Sequence, residues 1–449
     1  MGKYFGTDGI RGIAGEHLTA NLAYLTGSAV ATVIGNQMQT GEKPRAVIGK
    51  DTRVSSDMLE AALVSGLCSG GADVELVGVV PTPAVAYLTR KENTDMGIVI
   101  SASHNAFEHN GIKIFNGEGF KLSDELEAEI ERLIDAPEEL VTQTHGNMGR
   151  LFSGRYSSGR YIEHLQKRIE GDFSNLKIAF DCANGAASPT AERLFRKLGK
   201  KVKIINSHPN GVNINKNCGS TDMRQLRRAV LRDGFDAGFA FDGDADRCLV
   251  IDELGNIIDG DVLLAILGGA MKKKRRLKKN TVVGTILSNS GLDEYAGRHN
   301  MTVLRSDVGD RNVLELMKSS GACLGGEGSG HTIFLDDATT GDGQLTAIKC
   351  LNLMASSGKK MSELASDFKK FPQVEVKVPV ENSEKKRVMA SPELIAAIND
   401  EKVSMGDSGS VLVRPSGTEA IIRVTIEAET ELMAKECAER LADVVRKLL

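Results

Sequence analysis

Short apolar runs rich in valine and isoleucine alternate along the chain with amphipathic stretches, the pattern of α/β layers. One unit is clear. Lys177-Ile-Ala-Phe-Asp181 predicts a strand. Ser188-Pro189 predicts a helix start, a cap followed by a first-turn proline. Gly199 closes that helix, and Val202-Lys-Ile-Ile-Asn206 is the next strand, completing a βαβ unit.

Comparable units lie on either side. Ala46-Val-Ile-Gly49 precedes a helix over about 55–69, then strands at 74–79 and 97–100. After Leu122, a helix carries Leu126, Ile130, Leu133 and Ile134 on one face, with Asp124 and Glu125 favourable in its first turn. Strands are expected at 281–286 and 303–304, each followed by a helix. The last segment differs: 374–380 alternates like a strand covered on one face. Two more strands at 411–413 and 421–427 follow, and an amphipathic helix begins near 430. The expected organisation is three α/β domains with mixed sheets over 1–152, 153–253 and 254–370, then a smaller α+β domain over 371–449. A chain of 449 residues has room for several cores.

Composition narrows the class little. Hydrophobic residues at 41% and charged residues at 26% are ordinary for a globular protein. A net charge of −4 gives no reason to expect nucleic acid or an anionic membrane as the main partner. The run Lys272–Arg276 reads as a solvated helix end. The N-terminus lacks the apolar stretch of a signal peptide, and Gly6 stands where a myristoylation signal needs Ser or Thr. No apolar run is long enough to span a bilayer. Seven scattered cysteines without a C-x-x-C pair fit reduced thiols in the cytoplasm.

Chemistry concentrates in five segments. In Phe241-Asp-Gly-Asp-Ala-Asp-Arg247, three carboxylates (Asp242, Asp244, Asp246) stand at alternate positions and can converge on one hard cation. The spacing through Glu253 also matches an EF-hand loop. That loop needs Gly where Arg247 stands, and helices where strand-like flanks lie. Arg247 suits a substrate phosphate beside the cation. In Gly97-Ile-Val-Ile-Ser-Ala-Ser-His-Asn105, an apolar strand delivers Ser103 to a strand end, where ligands gather in α/β sheets. No Gly-x-Ser-x-Gly elbow surrounds it, and a plain polar loop fits the stretch equally well.

In Leu324-Gly-Gly-Glu-Gly-Ser-Gly-His331, glycines frame Glu327, Ser329 and His331, which suits sugar hydroxyls and a general acid/base. In Val413-Arg-Pro-Ser-Gly-Thr-Glu419, Ser416, Gly417 and Thr418 can form an anion-binding nest, with Arg414 and Arg423 as guanidinium forks. The fifth segment, Phe5-Gly-Thr-Asp-Gly-Ile-Arg-Gly12, brackets Arg11 with glycines. No Walker P-loop is present. Serine, cation, sugar-sized loop and phosphate nest together describe phosphoryl transfer on a sugar phosphate.

These segments, in this order, resemble the α-D-phosphohexomutase superfamily over nearly the whole chain. With Val308-Gly-Asp-Arg311 and Thr339-Thr-Gly-Asp-Gly343, they look most like its bacterial glucosamine-phosphate branch. The resemblance implies four domains around a central cleft, the last closing over the site. It matches Ser103 to a phosphoserine, and Asp242, Asp244 and Asp246 to Mg²⁺ ligands, with the Ser103 phosphate completing the shell. Glu327 and Ser329 match the sugar loop. Arg414, Ser416, Gly417, Thr418 and Arg423 match the site of the non-reacting phosphate. Arg11, Lys113 and His331 match residues at the reacting phosphoryl group, Lys113 or His331 moving the proton.

The implied activity interconverts glucosamine 6-phosphate and glucosamine 1-phosphate through phospho-Ser103 and a bisphosphate intermediate. It would feed UDP-N-acetylglucosamine and peptidoglycan precursors. Ser103 would first be loaded by a hexosamine bisphosphate or a kinase. The expected partner is a small sugar phosphate, and a homodimer is compatible with the sequence. Alternatives are mannose or glucose phosphate as substrate and, more distantly, a non-catalytic sugar-phosphate or calcium binder. Two positions depart from the family's usual pattern. Ala106 replaces a proline after Ser-His-Asn, which implies a looser turn. Gly328 replaces the glutamine usual in the glucosamine branch.

Overall fold

The computed structural model describes every residue except 1, 7, 39–41, 155–157, 407–408 and 417–418. It divides into two compact units, one of residues 1–287 and 301–366, the other of 288–300 and 367–449.

The first unit holds three mixed sheets. The N-terminal one has seven strands in the order Phe5–Gly6, Gly9–Ile13, His109–Asn116, Met96–Ile100, Arg45–Lys50, Asp73–Val79, Leu151–Ser153. Its centre, Arg45–Lys50, pairs in parallel with Met96–Ile100 and Asp73–Val79, while His109–Asn116 runs antiparallel to Met96–Ile100. Met96–Ile100 is buried along its whole length, so it reads as a continuous apolar run. The second sheet places Ala237–Phe241 between the parallel Lys177–Asp181 and the antiparallel Cys248–Asp252. The third sets Thr281–Thr285 between Thr302–Ser306 and Leu324–Gly326, both parallel to it, with Thr332–Phe334 antiparallel at the edge.

One helix escapes the sequence pattern. Ala20–Gln37 is buried almost all round from Ala23 to Ile34, so it has no polar stripe to betray its period. It packs on the helix Ser56–Ser69. At Gly66 an added Cβ would collide with the Tyr24 carbonyl, so the glycine permits this close backbone approach.

The second unit is a three-stranded antiparallel sheet, Gln373–Pro379, Ile421–Glu427 and Ser410–Pro415, with the helices Pro392–Met405 and Glu431–Lys447. The chain lends it the short helix Gly291–Arg298, which lies in sequence between two strands of the third sheet. Glu427 ties that helix in, accepting from Asn289 Nδ2 (3.0 Å) and from Ser290 N–H (2.8 Å) and Oγ–H (2.7 Å). Among the described residues, no helix is long and apolar enough to cross a membrane.

In the second sheet, Phe180 stacks on Phe195 with ring centroids 4.1 Å apart and on Phe239 at 5.5 Å. Phe241, the residue before the aspartate loop, completes this cluster at 6.3 Å from both Phe180 and Phe195. The loop is therefore rooted in packed aromatic core. Phe180→Ala is expected to cost about 3–5 kcal/mol in urea unfolding, the usual range for emptying a buried aromatic site. A loss below about 1 kcal/mol would show that the cluster is not holding this domain.

Candidate active site

Two strand ends of the first unit meet at Ser103. The strand Met96–Ile100 stops, and the chain turns so that Ser103 takes a left-handed conformation, with φ of +50°. For a serine this is costly and persists only where surroundings hold it. Arg53 holds it. Its guanidinium donates to the carbonyls of Ser103 (3.0 Å), Asn105 (2.9 Å) and Ala106, and Asn215 Nδ2 donates to those of Ser103 (2.9 Å) and Asn105 (3.0 Å). Arg53 in turn is paired with buried Asp51 (2.8 Å), which also accepts from Ser101 Oγ (2.6 Å). The turn that lacks a proline at Ala106 is thus fixed by side chains instead.

Ser103 Oγ donates to Asp242 Oδ2 at 2.6 Å. Asp242, Asp244 and Asp246 are all buried and bring one oxygen each within 4.8 Å of one another. Gly243 permits the close approach of this loop, since a Cβ there would strike the Ser103 carbonyl. Burial, then the charges of Asp246 and Asp244, push the Asp242 carboxyl well above the usual range. Asp244 Oδ1 and Asp246 Oδ1 are buried without a hydrogen-bond partner among the described residues. Three converging oxygens, two of them unsatisfied, fit a hard divalent cation such as Mg²⁺.

Protein cations supply part of the balance. Lys113 Nζ lies 2.8 Å from Asp244, 2.9 Å from Asp8 and 3.6 Å from Asp246. Burial alone would lower its pKa, but Asp244, Asp8 and Asp246 outweigh it and keep the ammonium charged. Thr82 also donates to Asp244 Oδ2 (2.7 Å). His331 points Nδ1 at Asp246 (3.5 Å), and Nε2 accepts from the Gly341 N–H (3.0 Å). Burial lowers its pKa, while Asp246 and Asp310 draw it up towards about 9. The Gly341 N–H donating to Nε2 opposes that pull, because a proton on Nε2 would have to break this bond. His104, beside Ser103, is held neutral, lowered to about 4 by burial and then by Arg247 and Arg11.

Around this centre, Arg11 pairs with Asp8, and the Nε atoms of Arg11 and Arg247 are buried with no acceptor among the described residues. Two such orphaned guanidinium donors suit an anion. Glu327 accepts from the Gly309 N–H (3.0 Å), and the exposed Ser329 Oγ lies 3.4 Å from it. The Gly328 carbonyl accepts from Gly260 N–H (3.0 Å), which pins the loop to the start of the helix Gly260–Lys273.

The second unit carries its own anion-seeking group. Arg414 and Arg423 are directly opposite on paired strands, an arrangement that costs energy between like charges. Arg423 is partly compensated by Glu375 (2.8 Å) and Glu419, while Arg414 Nε is buried without a partner among the described residues. Lys385, also buried, donates to the carbonyls of Ser416 (2.7 Å) and Glu419 (2.5 Å). Gly417 and Thr418 lie outside the described residues.

Ser103, Lys113, His331, Arg11, Arg247 and the three aspartates are therefore linked through one hydrogen-bonded and charged network in the first unit. Several members carried no distinctive sequence signal of their own: Asp51, Arg53, Thr82 and Asn215 act through single side chains far apart in sequence. Asp8 and Asp310 stood inside segments already singled out, but as acids among glycines they gave no hint that they face Lys113, Lys121 and His331.

Four family descriptions match the chain. They are the phosphoglucomutase/phosphomannomutase alpha/beta/alpha domains I (2–141), II (159–255) and III (259–371), and the C-terminal domain (375–444). A phosphoglucosamine mutase from Acetivibrio thermocellus is 48% identical over 450 residues, covering 100% of both chains. Two solved structures share the fold. A phosphoglucomutase/phosphomannomutase family protein from Burkholderia thailandensis has TM-score 0.82 and 23% identity, covering 98% of this chain and 97% of that one. An Aspergillus fumigatus N-acetylphosphoglucosamine mutase in complex with GlcNAc-6P and magnesium has TM-score 0.70 and 17% identity, covering 99% and 96%. The chain belongs to the phosphoglucomutase/phosphomannomutase family. It is an isomerase of the phosphohexomutase class, which displaces the reading as a non-catalytic binder.

The aspartate loop makes cation binding pH-dependent. A carboxyl raised above its unfolded value, as Asp242 is, adds stability below the unfolded pKa and loses it as pH rises through the folded pKa. A bound cation takes the proton's place. Magnesium is therefore expected to raise Tm more at pH 8 than at pH 6, with proton release on binding. Asp244→Asn should abolish most of the shift. An equal shift in that variant, by differential scanning fluorimetry, would place the cation elsewhere.

Proposed function

We propose that the chain interconverts glucosamine 6-phosphate and glucosamine 1-phosphate, with Ser103 carrying the phosphoryl group. The observation behind it is the Ser103 hydroxyl 2.6 Å from Asp242, at the mouth of a buried three-carboxylate loop short of positive charge. The full-length relative named phosphoglucosamine mutase supports glucosamine as the sugar.

In this reading, Asp242, Asp244 and Asp246 hold Mg²⁺, which supplies charge neutralisation when bound. The phosphoryl group on Ser103 passes to the sugar's free O1, and the resulting bisphosphate turns over before Ser103 takes the phosphoryl group back from O6. Arg11 and Arg247 offer their orphaned donors to the moving group. Lys113, charged and buried, offsets the charge of the moving group, and Lys113 or His331 is the candidate to carry the proton that leaves O1 and ends on Ser103 Oγ. Glu327 and Ser329 take sugar hydroxyls. Arg414, Ser416, Gly417, Thr418 and Arg423 take the phosphate that does not react. Positioning and charge balance supply most of the rate, as is usual for phosphoryl transfer. The product would feed UDP-N-acetylglucosamine synthesis in the cytoplasm.

Gly328 favours testing a second sugar, since glutamine is usual there in the glucosamine branch. A coupled assay with glucosamine, mannose and glucose 6-phosphates is expected to show glucosamine 6-phosphate turned over fastest. Faster mannose 6-phosphate turnover would transfer the assignment to that sugar. Intact mass after incubation with a hexose bisphosphate should show one added phosphate, absent in Ser103→Ala, whose kcat should fall by at least about a thousandfold. A Ser103→Ala protein that still takes up the phosphate would put the carrier elsewhere.

A further inference from the structure

One cavity apart from the Ser103 network lies in the first unit and has a volume of about 530 Å³. Its walls are the chain at 167–170, the last turns of the helix Gly260–Lys273, the strand Thr332–Phe334 and the middle of the helix Gly343–Ser357. Seven lysines and arginines line it against three carboxylates, in a protein whose formal charge is −4. Those carboxylates are already shared. Glu170 takes Lys274 (3.2 Å) and Arg276, Asp336 takes Lys278, and Asp337 takes Arg168 (2.5 Å) and Lys349 (2.6 Å). Lys167 and Arg275 have no carboxylate partner among the described residues. Positive charge crowded on a concave surface without equal counter-charge lowers the free energy of a bound anion.

The floor is of another kind. Leu267, Ala270, Met271 and Leu353 give it an apolar surface, with methionine able to mould to a flat ring, while the Phe334 ring beside them carries Lys349 Nζ over it at 5.4 Å. A bare phosphate would use the rim and leave this floor wet. The floor's one amide, Asn352, is spent on the backbone: Oδ1 accepts from Glu170 (2.8 Å) and Gly171 (3.2 Å), and Nδ2 donates to the Arg168 carbonyl (2.7 Å). One Nδ2–H is left over, so Asn352 offers a base edge a single donor and no acceptor.

We propose that this cavity binds a nucleotide, its phosphates at the Lys167 and Arg275 rim and its base on the apolar floor, with little choice between bases. The volume lies within the range of small-molecule sites. None of its lining residues belongs to the Ser103 network or to the arginine pair of the second unit, so the proposal stands apart from the assigned sugar.

The test is isothermal titration of the full chain, without magnesium, using UDP, ADP, uridine and inorganic phosphate. UDP and ADP are expected to bind with affinities within about tenfold of each other, and uridine and phosphate at least about tenfold more weakly. The double variant Lys167→Glu/Arg275→Glu should weaken both nucleotides at least about tenfold, with hexose-phosphate turnover unchanged. Met271→Glu, at the floor, should weaken them independently of the rim. Saturating glucose 1,6-bisphosphate should not displace them. No nucleotide binding up to millimolar concentration would overturn the proposal, as would undiminished binding in both variants. Displacement by the bisphosphate would also overturn it, placing the nucleotide phosphates in the Ser103 site.

Discussion

Three aspartates, 242, 244 and 246, are buried together within reach of one serine, and the remainder of the first unit is arranged to make that bearable. Burying one unpaired carboxylate is expensive, and burying three side by side is more so. Lys113 meets part of the cost from the neighbouring sheet, with Asp8 bringing Lys121 and Arg11 into the same balance. The two unsatisfied oxygens that remain, on Asp244 and Asp246, mark what the protein does not supply itself. A divalent cation and a phosphorylated serine would complete the balance between them.

The same balance explains the backbone around Ser103. A serine at φ of +50° in a buried turn is held by five hydrogen bonds from Arg53 and Asn215 to the carbonyls of residues 103, 105 and 106. Arg53 is fully buried and is itself neutralised by Asp51, so the clamp adds no net charge beside the aspartates. A proline at 106 would restrict the turn through its own ring. Here a buried ion pair does so from outside, which leaves the turn dependent on a residue fifty positions away.

The second unit solves a related problem on a smaller scale. Arg414 and Arg423 face each other across paired strands, and Glu375 and Glu419 relieve only Arg423. Lys385 adds a further buried cation beside the same turn. Positive groups pressed together in this way raise the affinity for an anion that can take two guanidinium forks at once. The cavity lined by Lys167 and Arg275 uses the same physics: a surplus of cations, shared carboxylates and an apolar floor.

Much of this was legible in the chain. Strand runs such as 177–181 and 97–100 and the alternation at 374–380 follow from local periodicity, which packing did not overrule; the helix of the βαβ unit was legible too, but it runs Ser188–Phe195, capped by Ala187 and ending before Gly199. The aspartate loop was legible because three ligands lie within five residues. The buried helix Ala20–Gln37 was not, since a helix wrapped in core has no polar face to show its period. Nor were Asp51, Arg53, Thr82 and Asn215, because each contributes one atom from a different part of the chain. The sequence by itself determined which residue types could hold a cation, a sugar and a phosphate. Only the tertiary structure decided that Ser103 and Lys113 reach the Asp242 loop, because that depends on strand pairing in two different sheets. No spacing along the chain encodes a distance between them.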